Sequence, residues 1–242
     1  AGPRGRSRRR WGRSGSRGPP WSWAPGVAGE STGRRPGGDP IHLDSLRAAL
    51  LTGAELEITE PGESEDMGHD WLDPRALTEF GERETTEPWT WAGPSRSVTG
   101  PTWGGCLEVL QWVLTAGRFP ADPHVLDGAV MLIETSETLP SASEVGWILR
   151  AMGERGLLAA VDAVLVARPP ASSLEDRPDA PARARFRAQQ RDAVVETVGR
   201  YNPEAVICVG VPFGHTRPQW IVPHGGTMTV DGSSHRITAS YA

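Results

Sequence analysis

The chain has 242 residues, of which 38% are apolar, and this proportion is sufficient for a packed core in one large domain or two small ones. The net charge of −5 at pH 7 is unevenly distributed, because nine of the 25 basic residues but only two of the 30 acidic residues precede Ile41. No apolar stretch approaches the roughly 20 residues that a membrane-spanning helix requires. We therefore expect no membrane partner.

The cysteine content and the N-terminus favour a cytoplasmic protein. Cys106 and Cys208 form neither a disulfide framework nor a CxxC motif, and they suit a reducing compartment. The Arg-rich beginning is not followed by the apolar segment of roughly 7–15 residues that a signal peptide contains. Cytoplasmic localisation is the prediction.

Residues 1–40 have no hydrophobic periodicity and are crowded with Arg, Gly, Pro, Ser and Trp. Such a composition cannot bury enough apolar surface to offset the entropy lost on ordering, so we expect disorder. Arg8, Arg9 and Arg10 beside Trp11 would also suit a nucleic-acid-binding arm. A solvated tail is the favoured interpretation, and no nucleic-acid partner is predicted.

The pattern becomes globular at Ile41. The elements predicted for the first part are a helix over residues 43–51 that Gly53 ends, a strand over 54–60, a loop region over 61–88 and a short strand over 89–91. We expect residues 41–100 to be a linker region that follows another domain. Residues 101–242 are expected to form the C-terminal domain.

The second part alternates between apolar runs and helical patterns. Its predicted elements are a helix that Gly104-Gly105 opens, a strand over Ala129–Glu134, a helix that starts at Ser143 and Glu144, a strand over Val161–Val166, a surface connection over Arg168–Pro181, a helix over 182–200, a strand over Ala205–Gly210, and three short strands over 219–223, 227–230 and 236–240. Short Val- and Ile-rich runs are typical of buried parallel strands. The fold class is α/β, with a mainly parallel core sheet and a terminal antiparallel meander.

Two ionisable side chains follow buried strands. Glu134 ends the first apolar run, and His215 lies within five residues of the end of the second. In open α/β sheets the loops at the carboxyl ends of the strands build the site. We therefore expect the Glu134 carboxylate and the His215 imidazole to face each other at one edge of the sheet.

Several motifs resemble one enzyme family. Their residues are Trp103-Gly-Gly-Cys-Leu107, Val130-Met-Leu-Ile-Glu134, Val211-Pro-Phe-Gly-His215 and Ile221-Val-Pro-His-Gly225. In order and spacing they resemble the C-terminal domain of the LD-carboxypeptidase family of serine peptidases, which includes muramoyl-tetrapeptide carboxypeptidases and microcin C immunity peptidases. The resemblance covers roughly residues 41–242, and it implies a swivelling β/β/α-type domain, a peptide or peptidyl-nucleotide substrate and a possible homodimer.

The resemblance also implies a Ser-His-Glu triad in which His215 and Glu134 are the second and third members. An imidazole activates a hydroxyl by taking its proton, and it needs an acceptor on its other nitrogen to fix the tautomer. Glu134 fits that acceptor. Glu137, three residues further along, is the alternative.

The family's nucleophilic serine belongs to an N-terminal domain, which we expect ahead of residue 41. The serines at positions 14, 16, 22 and 31 lie in low-complexity sequence without a preceding apolar strand, so none is predicted to be the nucleophile. The sequence therefore predicts a serine carboxypeptidase fragment that carries the Glu and His of the triad. The alternative is a non-catalytic remnant, or a partner-binding domain that keeps the fold.

Two weaker features concern binding. Trp89 and Trp91 could stack on a flat substrate group, as the microcin-immunity branch of the family suggests, or pack as core aromatics between strands. His215 and His224 have no carboxylate or cysteine at metal-ligand spacing, and Gly104-Gly105 lacks the spacing of a phosphate-binding loop. No metal or cofactor is predicted.

Overall fold

The computed structural model describes residues 39–118 and 122–242, so the expectations for residues 1–38 lie outside the described range. The described α-helices are α1 (Pro40–Arg47), α2 (Leu107–Thr115), α3 (Ala142–Glu154), α4 (Leu157–Ala160) and α5 (Ala180–Tyr201). A π-helical turn over Ala48–Thr52 extends α1, and two 3₁₀ turns cover Pro74–Leu77 and Pro123–Leu126. Within these ranges, none of the helices combines the length and the apolar character needed to cross a membrane.

The strands form one large sheet and one small one. They are β1 (Glu55–Ile58), β2 (Glu63–Ser64), β3 (Glu84–Thr85), β4 (Thr90–Ala92), β5 (Ser97–Cys106), β6 (Val130–Glu134), β7 (Ala163–Ala167), β8 (Val206–Val211), β9 (Thr227–Asp231) and β10 (Arg236–Ser240). The eight-stranded sheet has the order β1-β10-β9-β5-β6-β7-β8-β4, whereas β2 and β3 pair separately. Strands β5 to β8 run parallel, and the flanking pairs are antiparallel. The predicted α/β class with a mainly parallel core is confirmed.

A buried cluster lies on each face of the large sheet. Helices α2, α3 and α5 cover one face, where Leu107, Leu149 and Val198 pack against Met131 and Ile133 of β6. Because β6 and β7 are buried throughout their length, their sequences are continuous apolar runs without polar alternation. This burial is why the sequence predicts both strands.

The large sheet curves around the buried cluster on its other face, the inner cluster, which includes Leu132, Leu165 and Cys208. Strands β4 and β10 lie far apart in the strand order, yet the Trp91 ring of β4 stacks on His235, next to the start of β10, with centroids 5.0 Å apart. Leu132, Leu165 and Cys208 come from the parallel strands and are buried inside this curve. The stack of Trp91 on His235 therefore helps to close the sheet over its inner core.

Strand β5 differs from the prediction. The pattern predicts the start of a helix at Gly104-Gly105, but both glycines lie inside the ten-residue strand β5, which ends at Cys106, and α2 begins at Leu107. A Cβ atom on Gly104 would collide with the carbonyl oxygen of Leu132, so glycine is what permits β5 to approach β6 this closely. Gly104, predicted to open a helix, is instead a condition for the pairing of β5 with β6.

The antiparallel part of the sheet also differs from the predicted meander. Strands β9 and β10 form as expected, but residues 219–223 are irregular, and the backbone N–H of Trp220 donates to the carbonyl of Pro212. The outer partner of β10 is β1, from the segment predicted to be a linker. Strands β1, β4 and β5 thus join residues 41–100 to the same sheet as the downstream strands.

The sequence predicts a surface connection after β7, but this segment begins in the interior. Arg168 is only 2% exposed, as is Ala171. The Arg168 guanidinium is buried because carboxylates from the 61–88 region surround it. A smaller difference concerns α3, whose N-cap is Ser141 and not Ser143, with Glu144 completing a capping box.

Candidate active site

Glu134 and His215 form a hydrogen-bonded pair at the carboxyl edge of the parallel strands. Glu134 is the last residue of β6 and is 3% exposed, whereas His215 follows β8 and retains 27% side-chain exposure. Oε2 of Glu134 lies 3.0 Å from Nδ1 of His215. Since β7 lies between β6 and β8, the loop after β8 returns across the end of β7 to make this contact. The two side chains face each other, as the strand pattern leads us to expect.

The backbone before His215 is shaped around the Glu134 carboxylate. Gly214 has a φ of 86°, in the left-handed region that favours glycine, and a Cβ atom there would collide with Oε2 of Glu134. The side-chain amide of Gln219 donates a hydrogen bond to the carbonyl of Gly214. This loop geometry lets the imidazole reach a carboxylate that is itself fixed at the end of a buried strand.

The alternative carboxylate, Glu137, lies on the other nitrogen of the same imidazole. Its Oε2 is 3.4 Å from Nε2 of His215, and its side chain is 67% exposed. Glu134 is therefore the buried partner of Nδ1, whereas Glu137 is the exposed partner of Nε2. The predicted acceptor Glu134 and the alternative Glu137 thus occupy opposite sides of the ring.

The electrostatic environment favours the imidazolium form of His215. The hydrogen bond that His215 donates to Glu134 raises the pKa of His215, and the negative charges of Glu134, Glu137 and Glu108 act in the same direction. Partial burial opposes the shift, because it disfavours the charged form. A histidine with this surrounding is suited to accepting a proton and stabilising the resulting charge.

A pocket of about 390 Å³ opens beside His215. Its wall includes polar and aromatic side chains that the sequence analysis did not single out, namely His69, Trp71 and Arg217, together with Glu137 and Ser173. The first two belong to a segment predicted only as loop. The one signal that the sequence offers in this segment is a tryptophan, Trp71, in an acidic stretch. That signal does not indicate a position beside His215.

A buried ionic cluster fixes the segment that forms this wall. Asp66 accepts hydrogen bonds from Arg168 at 2.8 Å and from Arg187 at 2.7 and 2.9 Å, and both guanidinium groups also bind Glu84 and Glu87. Burial by itself would raise the pKa of Asp66, but the charges of Arg187 and Arg168 outweigh it and lower that pKa below its usual value. The cluster joins the 61–88 region to the end of β7 and to α5.

Cys106 ends β5 and lies beside Glu134 in the strand register. Burial raises the pKa of its thiol to about 12, and the nearby Glu108 carboxylate adds to the shift. A thiol with such a pKa is neutral near pH 7, and the thiolate is the nucleophilic form. The environment of Cys106 is therefore unsuited to a cysteine nucleophile.

Trp89 and Trp91 pack against the inner buried cluster. Their ring centroids are 6.3 Å apart, and neither ring is part of the wall of the pocket beside His215. This packing agrees with the second of the two interpretations given above. A substrate-binding role for either residue stays a prediction.

Within residues 39–118 and 122–242, no serine hydroxyl makes a hydrogen bond to His215. Ser173 lines the pocket, but its hydroxyl accepts hydrogen bonds from the backbone N–H groups of Glu175 and Asp176. The described residues thus bring together an acid and a base without an adjacent hydroxyl nucleophile.

Comparison with known proteins identifies the fold of this site. The structure is similar to an MccF-like protein from Streptococcus pneumoniae in complex with AMP, with a TM-score of 0.67 and 22% identity over 84% of this chain and 58% of that one. It is also similar to the microcin C7 self-immunity protein MccF in complex with aspartyl sulfamoyl adenosine, with a TM-score of 0.60 and 16% identity over 83% and 56% of the two chains. An MccF-like protein from Bacillus anthracis gives 0.62 and 16% over 82% and 55%.

The chain spans a little more than half the length of these solved structures. A comparison with curated protein sequences finds no match. A model of the LD-carboxypeptidase C-terminal domain matches residues 99–230, which are more than half of the chain and include both Glu134 and His215. The chain therefore belongs to the LD-carboxypeptidase family.

Proposed function

We propose that Glu134 and His215 are the acid and the base of a Ser-His-Glu triad. The observation that carries this proposal is the 3.0 Å contact between a buried carboxylate and Nδ1 of a partly exposed imidazole. A carboxylate in this position holds the ring in the tautomer that leaves Nε2 free to accept a proton, and it stabilises the imidazolium that forms. The serine that gives up this proton would come from an N-terminal nucleophile domain ahead of Ile41.

The reaction we propose is hydrolysis of an amide by an acyl-enzyme route. His215 removes the serine proton as the hydroxyl attacks the carbonyl carbon, and it then donates that proton to the departing amine. Water then attacks the acyl-enzyme with His215 again as the base, the ester bond to the serine breaks, and His215 returns the proton to the serine oxygen. Glu134 keeps its charge throughout, and the pKa of His215, raised by Glu134, supports the protonated intermediate form.

The substrate class that we propose is a cell-wall peptide or a peptidyl-nucleotide. Similar solved structures hold AMP and aspartyl sulfamoyl adenosine, which supports a nucleotide-containing substrate for this chain. The pocket of about 390 Å³ beside His215 falls in the usual size range of small-molecule sites, roughly 300–1,000 Å³. Cys106 and Cys208 are both free, which supports action in the reducing cytoplasm. The homodimer remains a prediction.

The test joins the nucleophile domain of a family member ahead of Ile41 and measures hydrolysis of an LD-tetrapeptide and of an aminoacyl sulfamoyl nucleotide. We expect turnover of at least one substrate, and we expect His215→Ala to abolish it. The 242-residue chain by itself should show no turnover, because residues 39–118 and 122–242 place no serine hydroxyl against His215, and we assign the nucleophile and the oxyanion donors to the joined domain. A folded joined protein that cleaves neither substrate would favour the non-catalytic remnant.

A further inference from the structure

The loop that follows β6 is tied down on both sides of Glu137. Ser136 donates to Oε1 of Glu108 from its backbone N–H at 3.0 Å and from its hydroxyl at 2.7 Å, and the Thr138 hydroxyl donates to the same oxygen at 3.0 Å. Ser136 and Thr138 are the two neighbours of Glu137 in the chain. One carboxylate oxygen therefore holds the residues that precede and follow Glu137.

Glu108 is itself fixed at the edge of the sheet. It lies in the first turn of α2, and its second oxygen accepts a hydrogen bond from Sγ of Cys106 at 3.2 Å. Burial would raise the pKa of Glu108, but the hydrogen bonds from Ser136 outweigh it and lower that pKa. The anchor of the loop is thus a charged acceptor at neutral pH, which makes its hydrogen bonds stronger than those of a neutral group.

Glu137 bridges this anchor and the candidate base. Its exposed side chain could adopt many rotamers in solvent, yet its Oε2 lies 3.4 Å from Nε2 of His215. A loop held at both neighbouring residues fixes the position of the Glu137 backbone, from which the carboxylate reaches the ring. Nε2 is the nitrogen that must face the serine in the proposed triad.

We propose that Glu108 is a positioning residue that holds Glu137 against Nε2 of His215. Glu137 thereby blocks Nε2, the proton-accepting nitrogen, until a nucleophile displaces it. The contact between Glu137 and His215 does not depend on the proposed function. Its interpretation as a blocked catalytic base rests on the proposed function. The serine hydroxyl and the Glu137 carboxylate compete for one nitrogen. The hydrogen bonds that Glu108 accepts determine how easily the loop moves and carries Glu137 away from Nε2.

Charged groups reach His215 from several elements. Glu134 comes from β6, Glu137 from the loop after β6 and Glu108 from α2. His69 and Arg217 share the wall of the adjoining pocket with His215. Any test must therefore separate the position of Glu137 from the simple charge of Glu108.

The test is an NMR titration of the His215 ring nitrogens in the 242-residue chain. Glu137→Gln should move the midpoint to lower pH, because it removes an anion beside Nε2. Glu108→Ala should move it in the same direction, by releasing Glu137 as well as by removing its own charge. Glu108→Ala should therefore have a clearly smaller effect in the Glu137→Gln background than in the wild type.

Ser136→Ala/Thr138→Val gives a second route that leaves every charge in place. This double variant removes the hydroxyl donors to Glu108, and it should also move the midpoint to lower pH in the wild type but not in the Glu137→Gln background. Glu144→Gln is the matched control. Glu144 accepts hydrogen bonds from Ser141 at the far end of the same loop and should leave the midpoint unchanged.

Equal shifts for Glu108→Ala in both backgrounds would overturn the proposal, since Glu108 would then act only through its charge. If Glu108→Ala does not fold, the titrations of Ser136→Ala/Thr138→Val in the two backgrounds test the proposal. A midpoint for this double variant equal to that of the wild type then overturns the proposal. These titrations need no substrate. An inactive joined enzyme with the expected titrations would count against the triad while leaving the positioning role intact.

Discussion

The carboxylate of Glu134 lies directly against the backbone of Gly214, so that a side chain at position 214 would occupy the place of Oε2. The glycine also adopts a φ of 86°, which other residues rarely do. Gly214 thus serves the site in two ways. It turns the chain so that His215 faces the sheet, and it leaves room for the acid that binds Nδ1.

Gly214→Ala should therefore break the hydrogen bond between Glu134 and His215. The added methyl group forces either the carboxylate or the loop to move. We expect the pKa of His215 to fall, because the Glu134 hydrogen bond is the main cause of its elevation. NMR titration of the ring measures this change, and Gly225→Ala is the control. Gly225 also has a positive φ, of 75°, but its Cβ would meet open space.

The Glu134–His215 pair should stabilise the folded chain more strongly in mildly acidic than in basic solution. The folded-state pKa of His215 is raised, so its contribution is complete below the unfolded value of about 6.5 and is lost as the pH rises through the folded value. Urea unfolding of the wild type and of His215→Gln at pH 6 and pH 9 measures this, and we expect the difference between the two proteins to shrink at pH 9. In the Glu134→Gln background the same comparison should show a much weaker pH dependence.

Asp66→Asn should destabilise the chain by about 3–5 kcal/mol, because it leaves two buried guanidinium groups without one of their anions. Since the pKa of Asp66 is lowered, its stabilisation is present above the unfolded value of about 3.8 and is lost as the pH falls through the folded value. Chemical denaturation at pH 7 gives the loss of unfolding free energy. Glu196→Gln breaks the exposed ion pair with Arg200 and should cost only about 0.3–0.5 kcal/mol. Equal costs for the two substitutions would contradict a structural role for the cluster.

Trp91→Ala should cost about 3 kcal/mol of unfolding free energy, because the ring packs on the inner core and stacks on His235. The matched control is Trp147→Ala, since Trp147 is 69% exposed and its removal should change stability by less than about 0.5 kcal/mol. A normal stability for Trp91→Ala together with a raised KM in the joined enzyme would favour the substrate-binding interpretation.

The sequence predicts the part of the fold that local pattern determines. Strands β6 and β8 are buried, so their residues form apolar runs that can be recognised without a partner. The position of Glu134 and His215 at one edge follows from the common direction of these strands. Strand β5 escapes recognition because Pro101, Gly104 and Gly105 resemble a turn, and because the need for glycine at position 104 becomes visible only when β5 pairs with β6.

Long-range partners are what the sequence does not show. Arg168 follows a buried strand and precedes Pro169, so a surface connection is the natural interpretation. Its burial depends on Asp66, which lies about a hundred residues earlier. No periodicity relates two such positions. For the same reason the sequence favours Glu134 over Glu137 only by its motif and its place at the end of a strand, because the side of the ring that each carboxylate reaches depends on long-range contacts.

The roles of the two glutamates can be separated in the joined enzyme. His215→Ala and Glu134→Gln should lower kcat by a factor on the order of 10³ to 10⁶ with little change in KM, because triad members act together in the transition state. The histidine substitution should have the larger effect. It abolishes proton transfer from the serine, whereas a glutamine at position 134 still fills the space beside Nδ1 but stabilises the imidazolium only weakly.

Glu137→Gln is the internal control, three positions further along the chain and on the opposite nitrogen of the same ring. Its kcat should stay within a few-fold of the wild type, because Glu137 lies where the serine must approach and does not support Nδ1. A large loss of kcat for Glu137→Gln together with a nearly normal kcat for Glu134→Gln would mean that the exposed carboxylate of Glu137 orients the imidazole. If His215→Ala alone were inactive, His215 would act with the serine as a dyad, and the buried Glu134 hydrogen bond would be a structural contact only.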